Sequence, residues 1–204
     1  MMTEKTTYHH GDLRQALIDG AIALIMEQDV SSLSLREVAR RVGVSHAAPY
    51  RHFQDKEALL AAVAEEGFIG LTEAMNRDIE QTADDPLERL KAAGVAYVQF
   101  AIAHPSHYRV MFGRYQGKQA PHPEQAKAGW QAFQVLLKVI EAGQTAGALR
   151  TGETMQLAWV AWSTVHGLSI LLIDGRLPIS QVEDIAALSE FVTRILIEGL
   201  VRFE

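Results

Sequence analysis

Residues 34–60 read SLREVARRVGVSHAAPYRHFQDKEALL, and the order of signals in them decides the architecture. Ser34 and Glu37 have the S-x-x-E spacing of a capping box, which opens a helix. Val42-Gly43-Val44 ends that helix, because glycine enters a left-handed turn at little steric cost. Ser45 is placed to cap a second helix. Asp55 is placed to cap a third, with Leu59, Leu60 and Val63 on its inner side. Leu35, Val38, Ala39, Val42, Val44 and Phe53 fall where two crossing helices can bury them, and Ala39 is small, as a close crossing requires. Ser45 to His52 is then left exposed on the second helix. The major groove of B-DNA admits one such helix, and residues near its N-terminus meet base edges. Here those are Ser45, His46, Ala47 and Ala48, with Tyr50 and Arg51 on the next turn. The Tyr50 hydroxyl and the Lys56 ammonium suit phosphate oxygens. Lys56 also starts a helix, whose free N–H groups favour an anion.

Pro49 disturbs this pattern. If Ser45 is the N-cap, Pro49 is the fourth helical residue and cannot donate the first i→i−4 bond. It also biases Ala48 away from helical backbone geometry. The expectation is a tightened or kinked recognition helix.

Outward from this stretch, helical spacing dominates and no strand-like alternation or internal repeat appears. Leu13, Leu17, Ala21, Leu24 and Ile25 form one apolar stripe, with Asp12 placed to cap that helix. Asp85-Pro86, His104-Pro105 and Pro123-Glu124 mark further starts, with Pro near the first helical turn. Gly117, Pro121 and Pro123 make a surface loop of residues 113–123. Gly147, Gly152, Gly175 and Pro178 punctuate two long helices over 153–174 and 180–202. The expected fold is all-α, with about nine helices. Residues 1–55 form a three-helix helix-turn-helix domain, and residues 56–204 a ligand-binding and dimerisation domain.

The chain has 204 residues, 48% of them apolar, enough for a sizeable core. It has no cysteine, which excludes a disulfide framework, a thiolate zinc site and a cysteine nucleophile, and fits a reducing cytosol. The N-terminus MMTEKTTYHHGD has no apolar run of the kind a signal peptide needs, so a cytoplasmic location is expected. His9 and His10 belong to an exposed arm. The net charge of −6 is unevenly placed. Residues 1–56 hold seven Lys/Arg and seven Asp/Glu, leaving twelve and eighteen for the remainder. DNA should therefore meet the N-terminal part, with salt-sensitive affinity.

Residues 154–173 carry no charge and are long enough to span a bilayer. Gln156, Ser163, Thr164, His166 and Ser169 argue against a span, and Trp159 and Trp162 sit near its middle instead of at its ends. The helix is read as covered on one side by its own domain and on another by a partner chain. Ile185, Leu188, Val192, Ile195, Leu196 and Gly199 form a stripe on the last helix, so two helices per chain would build a four-helix dimer interface. Two-fold symmetry then calls for a pseudo-palindromic operator.

Tyr97, Phe100, His104, His107, Met111, Trp130, Phe133, Trp159, Trp162 and His166 are the candidate lining of a mostly apolar ligand site, with Tyr108 and Phe112 in the same stretch. Trp162 and His166 lie four apart on one helix face, where they form either a pocket wall or a packed core pair. His104, His107 and His166 could offer three imidazoles to a metal. No nearby carboxylate or thiolate completes a set, so no metal or cofactor is expected. No paired carboxylates, Ser/His/Asp set or phosphate-cradling glycine loop occurs at usable spacing, so no enzyme is expected.

The run G-V-S-x-x-x-x-Y-x-H-F-x-D-K-x-x-L-L from Gly43 to Leu60 resembles the DNA-binding domain of the TetR family of transcriptional regulators. The likeness extends from Leu13 to about Leu60, and the nine-helix plan of the family extends over the whole chain. It implies a homodimeric helix-turn-helix repressor that leaves its operator when a small ligand binds the C-terminal domain. It also implies phosphate contacts at Tyr50 and Lys56, and base or backbone contacts from Arg36, His46, Ala47 and Ala48. Pro49 departs from the pattern, since many members have an aliphatic residue there. The segment WVAWSTVHGLSILLIDGRL resembles the ligand-domain signature of a subgroup in which a Trp, a His and a Gly recur, here Trp162, His166 and Gly167. The alternative is a DNA-binding protein of the same fold with no small-molecule inducer.

Overall fold

The computed structural model describes residues 10–113, 122–177 and 182–201. Among them lie eight α-helices: α1 His10–Glu27, α2 Leu35–Val42, α3 Lys56–Glu80, α4 Pro86–Ala103, α5 Pro105–Phe112, α6 Pro123–Thr145, α7 Thr154–Ile173 and α8 Val182–Leu200. Two 3-10 turns, Val30–Ser32 and Pro49–Arg51, complete the helical set. The all-α expectation holds. The count of α-helices is one lower than the expected nine, because the segment after Gly43 closes as a 3-10 turn and not as an α-helix. The expected loop at 113–123 and the breaker Pro178 fall mostly or wholly outside the described residues.

The described residues divide into two compact units. One comprises residues up to Glu66 with Ser106–Gln125, the other Gly67–Pro105 with Ala126 onward. The expected boundary at residue 56 thus lies inside the first unit, and α3 runs on through the division.

In the first unit, local signals set the helix ends. Ser34 Oγ accepts from the Glu37 backbone N–H at 3.3 Å and donates to Glu37 Oε2 at 3.0 Å. Gly43 stands at φ 77°, and Val44 N–H reaches back to the Ala39 carbonyl at 2.9 Å, closing α2. Asp55 Oδ1 accepts from Ala58 N–H at 2.8 Å at the start of α3, as expected. α1 begins at His10, two residues before Asp12, which the sequence had placed as its cap. α1 packs on α2 through Leu17, Ile18, Ala21, Ile25, Val38 and Ala39, all buried. Gly20 lets the two helices approach: a Cβ there would lie 2.7 Å from Val42 Cγ2.

In the second unit, α4 packs against both α7 and α8, and α7 against α8. Asp85 caps α4 by accepting from Leu87 N–H and Glu88 N–H, with Pro86 at the first helical position. Gly94 on α4 is a contact point; a Cβ there would collide with the Thr193 methyl of α8. The core joins Leu90, Ile140, Leu149, Ala158, Ala161, Ile197 and Leu200. Gly143 admits the Leu149 side chain, whose Cδ1 lies 2.7 Å from where a Cβ would stand.

α7 is long and apolar enough to cross a bilayer by length and composition, yet it is only partly buried. Ala158, Ala161, Val165, Leu168 and Ser169 face the unit's own core. Trp159, Val160, Ile170 and Leu171 are exposed, as are Phe191 and Ile195 on α8. Of the expected α8 stripe, Ile195 and Gly199 are exposed and Ile185, Leu188, Val192 and Leu196 half-buried.

Candidate functional site

The surface after α2 is built from one turn and one proline. Ser45, His46, Ala47, Tyr50 and Arg51 are exposed, Ala48 is half-buried and Pro49 is buried. The 3-10 turn that carries Pro49 packs against α2. Ser45 does not cap an α-helix. Its carbonyl accepts from Ala48 N–H at 2.9 Å, a three-residue closure. Tightening is thus observed, but Ala48 itself keeps right-handed helical angles, φ −62° and ψ −43°, against the expected bias. The buried Pro49 ring holds that geometry through tertiary packing.

Arg36 is exposed on the first turn of α2, on the same unit. Arg41 pairs with Glu27 across α1 and α2, and Arg40 lies 3.9 Å from Glu37, so these two arginines serve ion pairs within the unit. Arg14 lies over the Phe53 ring at 5.6 Å, a cation–π contact just beyond the Pro49–Arg51 turn.

Lys56 is half-buried. Its ammonium donates to the Ser31 carbonyl at 2.8 Å, tying the start of α3 to the Val30–Ser32 turn that Asp29 caps. Burial lowers its pKa from the ordinary 10.5, against the opposing pull of Glu57, Asp29 and Glu37. An ammonium has three donors, so two remain beyond the Ser31 bond. The Ser31 tie was not foreseeable from the motif, because it joins residues 25 apart.

The expected ligand-lining residues are divided between the two compact units. His107 and Met111 belong to the first compact unit, where His107 Nε2 lies 3.4 Å from Glu66 Oε1. Gln15 donates to the other Glu66 oxygen at 2.9 Å, so Glu66 links α1 and α5. In the second unit, Tyr97 is buried and central. Trp162 Nε1–H donates to its hydroxyl at 3.1 Å, and the same hydroxyl lies 3.0 Å from His166 Nδ1. Burial pushes the His166 pKa below the ordinary 6.5. Phe133 stands edge-on to Trp162 at 5.8 Å, and Trp130 lies 5.8 Å from Phe133 but is half exposed. Phe100 is buried and stacks on the exposed His104 at 4.7 Å. Trp159 lies apart from this group on the exposed face of α7. No cluster of three or more His, Asp or Glu suited to a metal ion occurs among the described residues.

Residues 17–63 match the family described as bacterial regulatory proteins, tetR family, and residues 90–196 match the tetracyclin repressor-like C-terminal domain. The HTH-type transcriptional regulator AcrR of Shigella flexneri is 41% identical over 64 residues, which is 31% of this chain and 30% of that protein. The chain therefore spans under a third of that curated relative. A protein of unknown function from Rhodococcus sp. RHA1 has a solved structure 34% identical to this chain, with a TM-score of 0.82 over 97% of this chain and 100% of that one. FadR of Bacillus subtilis, solved with stearoyl-CoA, is 18% identical, with a TM-score of 0.76 over 91% and 98% of the two chains, and shares the fold.

Proposed function

Because the chain belongs to the TetR family and is a DNA-binding transcriptional regulator of a non-enzymatic kind, we propose that it is a cytoplasmic repressor. It binds a pseudo-palindromic operator as a homodimer and is released by a small apolar or aromatic ligand. The observation that carries this reading is the exposed run Ser45, His46, Ala47, Tyr50 and Arg51, held out from a capped three-helix unit. Tyr50 and Lys56 take phosphate, and His46, Ala47, Ala48 and Arg36 take bases or backbone. The exposed apolar faces of α7 and α8, Trp159 among them, form the dimer interface, a four-helix bundle across the two-fold axis.

The ligand lies against Phe100, Phe133, Trp162 and His166 in the subgroup signature of Trp, His and Gly, where few polar groups stand among aromatic rings. The mutual hydrogen bonds of Trp162, Tyr97 and His166 favour a second reading, a regulator of the same fold with no small-molecule inducer. Selection of DNA from a random pool, followed by binding titrations with fractionated cell extract, separates the two. An enriched palindrome released by one small-molecule fraction supports the first reading. An enriched palindrome that no fraction releases supports the second. A monomer at micromolar concentration that enriches no palindrome defeats both.

A further inference from the structure

We propose that Pro49 is a positioning residue that sets operator preference. By closing the DNA-facing segment at three residues per turn, it groups Ala47 with Tyr50, in place of His46. The inference rests on the DNA-contacting surface proposed above. In an α-helix opening at Ser45, the Ser45 carbonyl would accept from the N–H of residue 49. Proline has no N–H, and the carbonyl takes Ala48 N–H at 2.9 Å instead. The closure then continues: Ala48 carbonyl with Arg51 N–H at 3.2 Å, and Pro49 carbonyl with His52 N–H at 2.9 Å. Only the last bond, Phe53 N–H to the Pro49 carbonyl, spans four residues.

An α-helix turns about 100° per residue and a 3-10 turn about 120°. The 3-10 turn spans Pro49–Arg51 and the Ser45–Ala48 turn before it closes at the same spacing; carried over the four steps from His46 to Tyr50, that spacing would differ from an α-helix by about 80° of rotation. At four-residue spacing His46 would share a face with Tyr50. At three-residue spacing Ala47 does, while His46, also exposed, moves off that face. Exposure agrees for the aligned pair, since Ala47 and Tyr50 are both exposed, while Pro49 is buried and the segment it opens packs on α2. A methyl group beside the Tyr50 contact then meets the adjacent base edge, with thymine methyl the complementary partner.

The test uses the full chain. Wild type and Pro49→Ala, which restores the missing N–H, each select operators from a random pool. The expected result is a different preferred base at one or more positions in each half-site, with each protein favouring its own operator about tenfold or more. The salt dependence of binding should stay the same, since phosphate contacts are kept. Identical preferred sequences with identical relative affinities overturn the proposal.

A second arm leaves Pro49 in place, so it does not depend on that variant folding. Operators carrying every single base change are titrated with Ala47→Ser and with His46→Ala, and ethylation interference locates the phosphate whose contact Tyr50→Phe loses. Ala47→Ser is expected to change preference at the base pair flanking that phosphate. If His46→Ala changes preference there and Ala47→Ser does not, the proposal is overturned. Failure of the wild type to enrich any sequence would defeat the DNA-binding surface itself, and the proposal with it.

Discussion

The two compact units are ordered by different means. The DNA-facing unit ends its short helices with side chains and turns a few residues away: Ser34 on Glu37, Gly43 at φ 77°, Asp55 on Ala58. The second unit relies on contacts between distant residues: Gly94 against Thr193, Gly143 against Leu149, Tyr97 against Trp162 and His166. It also leaves apolar faces of α7 and α8 uncovered, where the first unit leaves a polar and cationic surface. Local capping suits a unit that must hold one loop in place on DNA. Long-range packing with an incomplete surface suits the unit proposed to be completed by a second copy.

The largest effect should come from the uncovered face. Ile195→Asp sets a charge in each half of the proposed interface and twice per dimer, so sedimentation should show a monomer and operator affinity should fall by at least about a hundredfold. An intact dimer would remove the contrast between the units. Next, Gly94→Leu forces α4 from α8 and should cost about 1–3 kcal/mol in urea unfolding, with partial recovery in the Gly94→Leu/Thr193→Ala double variant. No recovery would place the strain elsewhere. Tyr97→Phe removes the shared partner of Trp162 and His166 and should cost about 1–3 kcal/mol, because two polar groups lose that bond together. Ser34→Ala should cost about 1 kcal/mol, with increased hydrogen exchange confined to α2. Exchange spreading into α4 or α8 would contradict local ordering.

The smallest effect is a pH dependence. His166 titrates below its ordinary 6.5 in the folded chain because burial penalises its charged form. The unfolded chain therefore binds the proton first as pH falls. Stability is full above about 6.5 and declines below it, until pH passes the lowered folded value. His166→Gln should flatten stability against pH in that window, read from urea midpoints at several pH values. An unchanged slope would assign the acid sensitivity to other groups.

The helix-turn-helix was legible in the sequence because its determinants are local. Ser34, Gly43 and Asp55 act over three or four residues, and a sequence displays such spacing directly. Pro49 was legible as a disturbance, since a missing N–H is a covalent fact. Its full effect was not: Ala48 kept helical angles because the proline ring is buried and its turn packs on α2, a contact the spacing does not reveal. Gly20 and Gly94 gave no local signal either. Each matters only through the side chain that crosses it, Val42 in one case and Thr193 in the other.

The aromatic residues show the same limit. Composition and helical period marked nine of them, with Met111, as one group, and the structure assigns its members to two compact units. His107 and Met111 went to the first unit, Trp159 to an exposed face, and Trp162 with His166 to the Tyr97 hydroxyl. The sequence alone determined the helical class and the helix ends set by Ser34, Gly43 and Asp55, because these follow from backbone chemistry within a few residues. Only the tertiary structure decided which side chains meet, which apolar surface stays uncovered and that the Tyr97 hydroxyl reaches both Trp162 and His166. Those depend on distances between residues far apart in the chain, which no local spacing encodes.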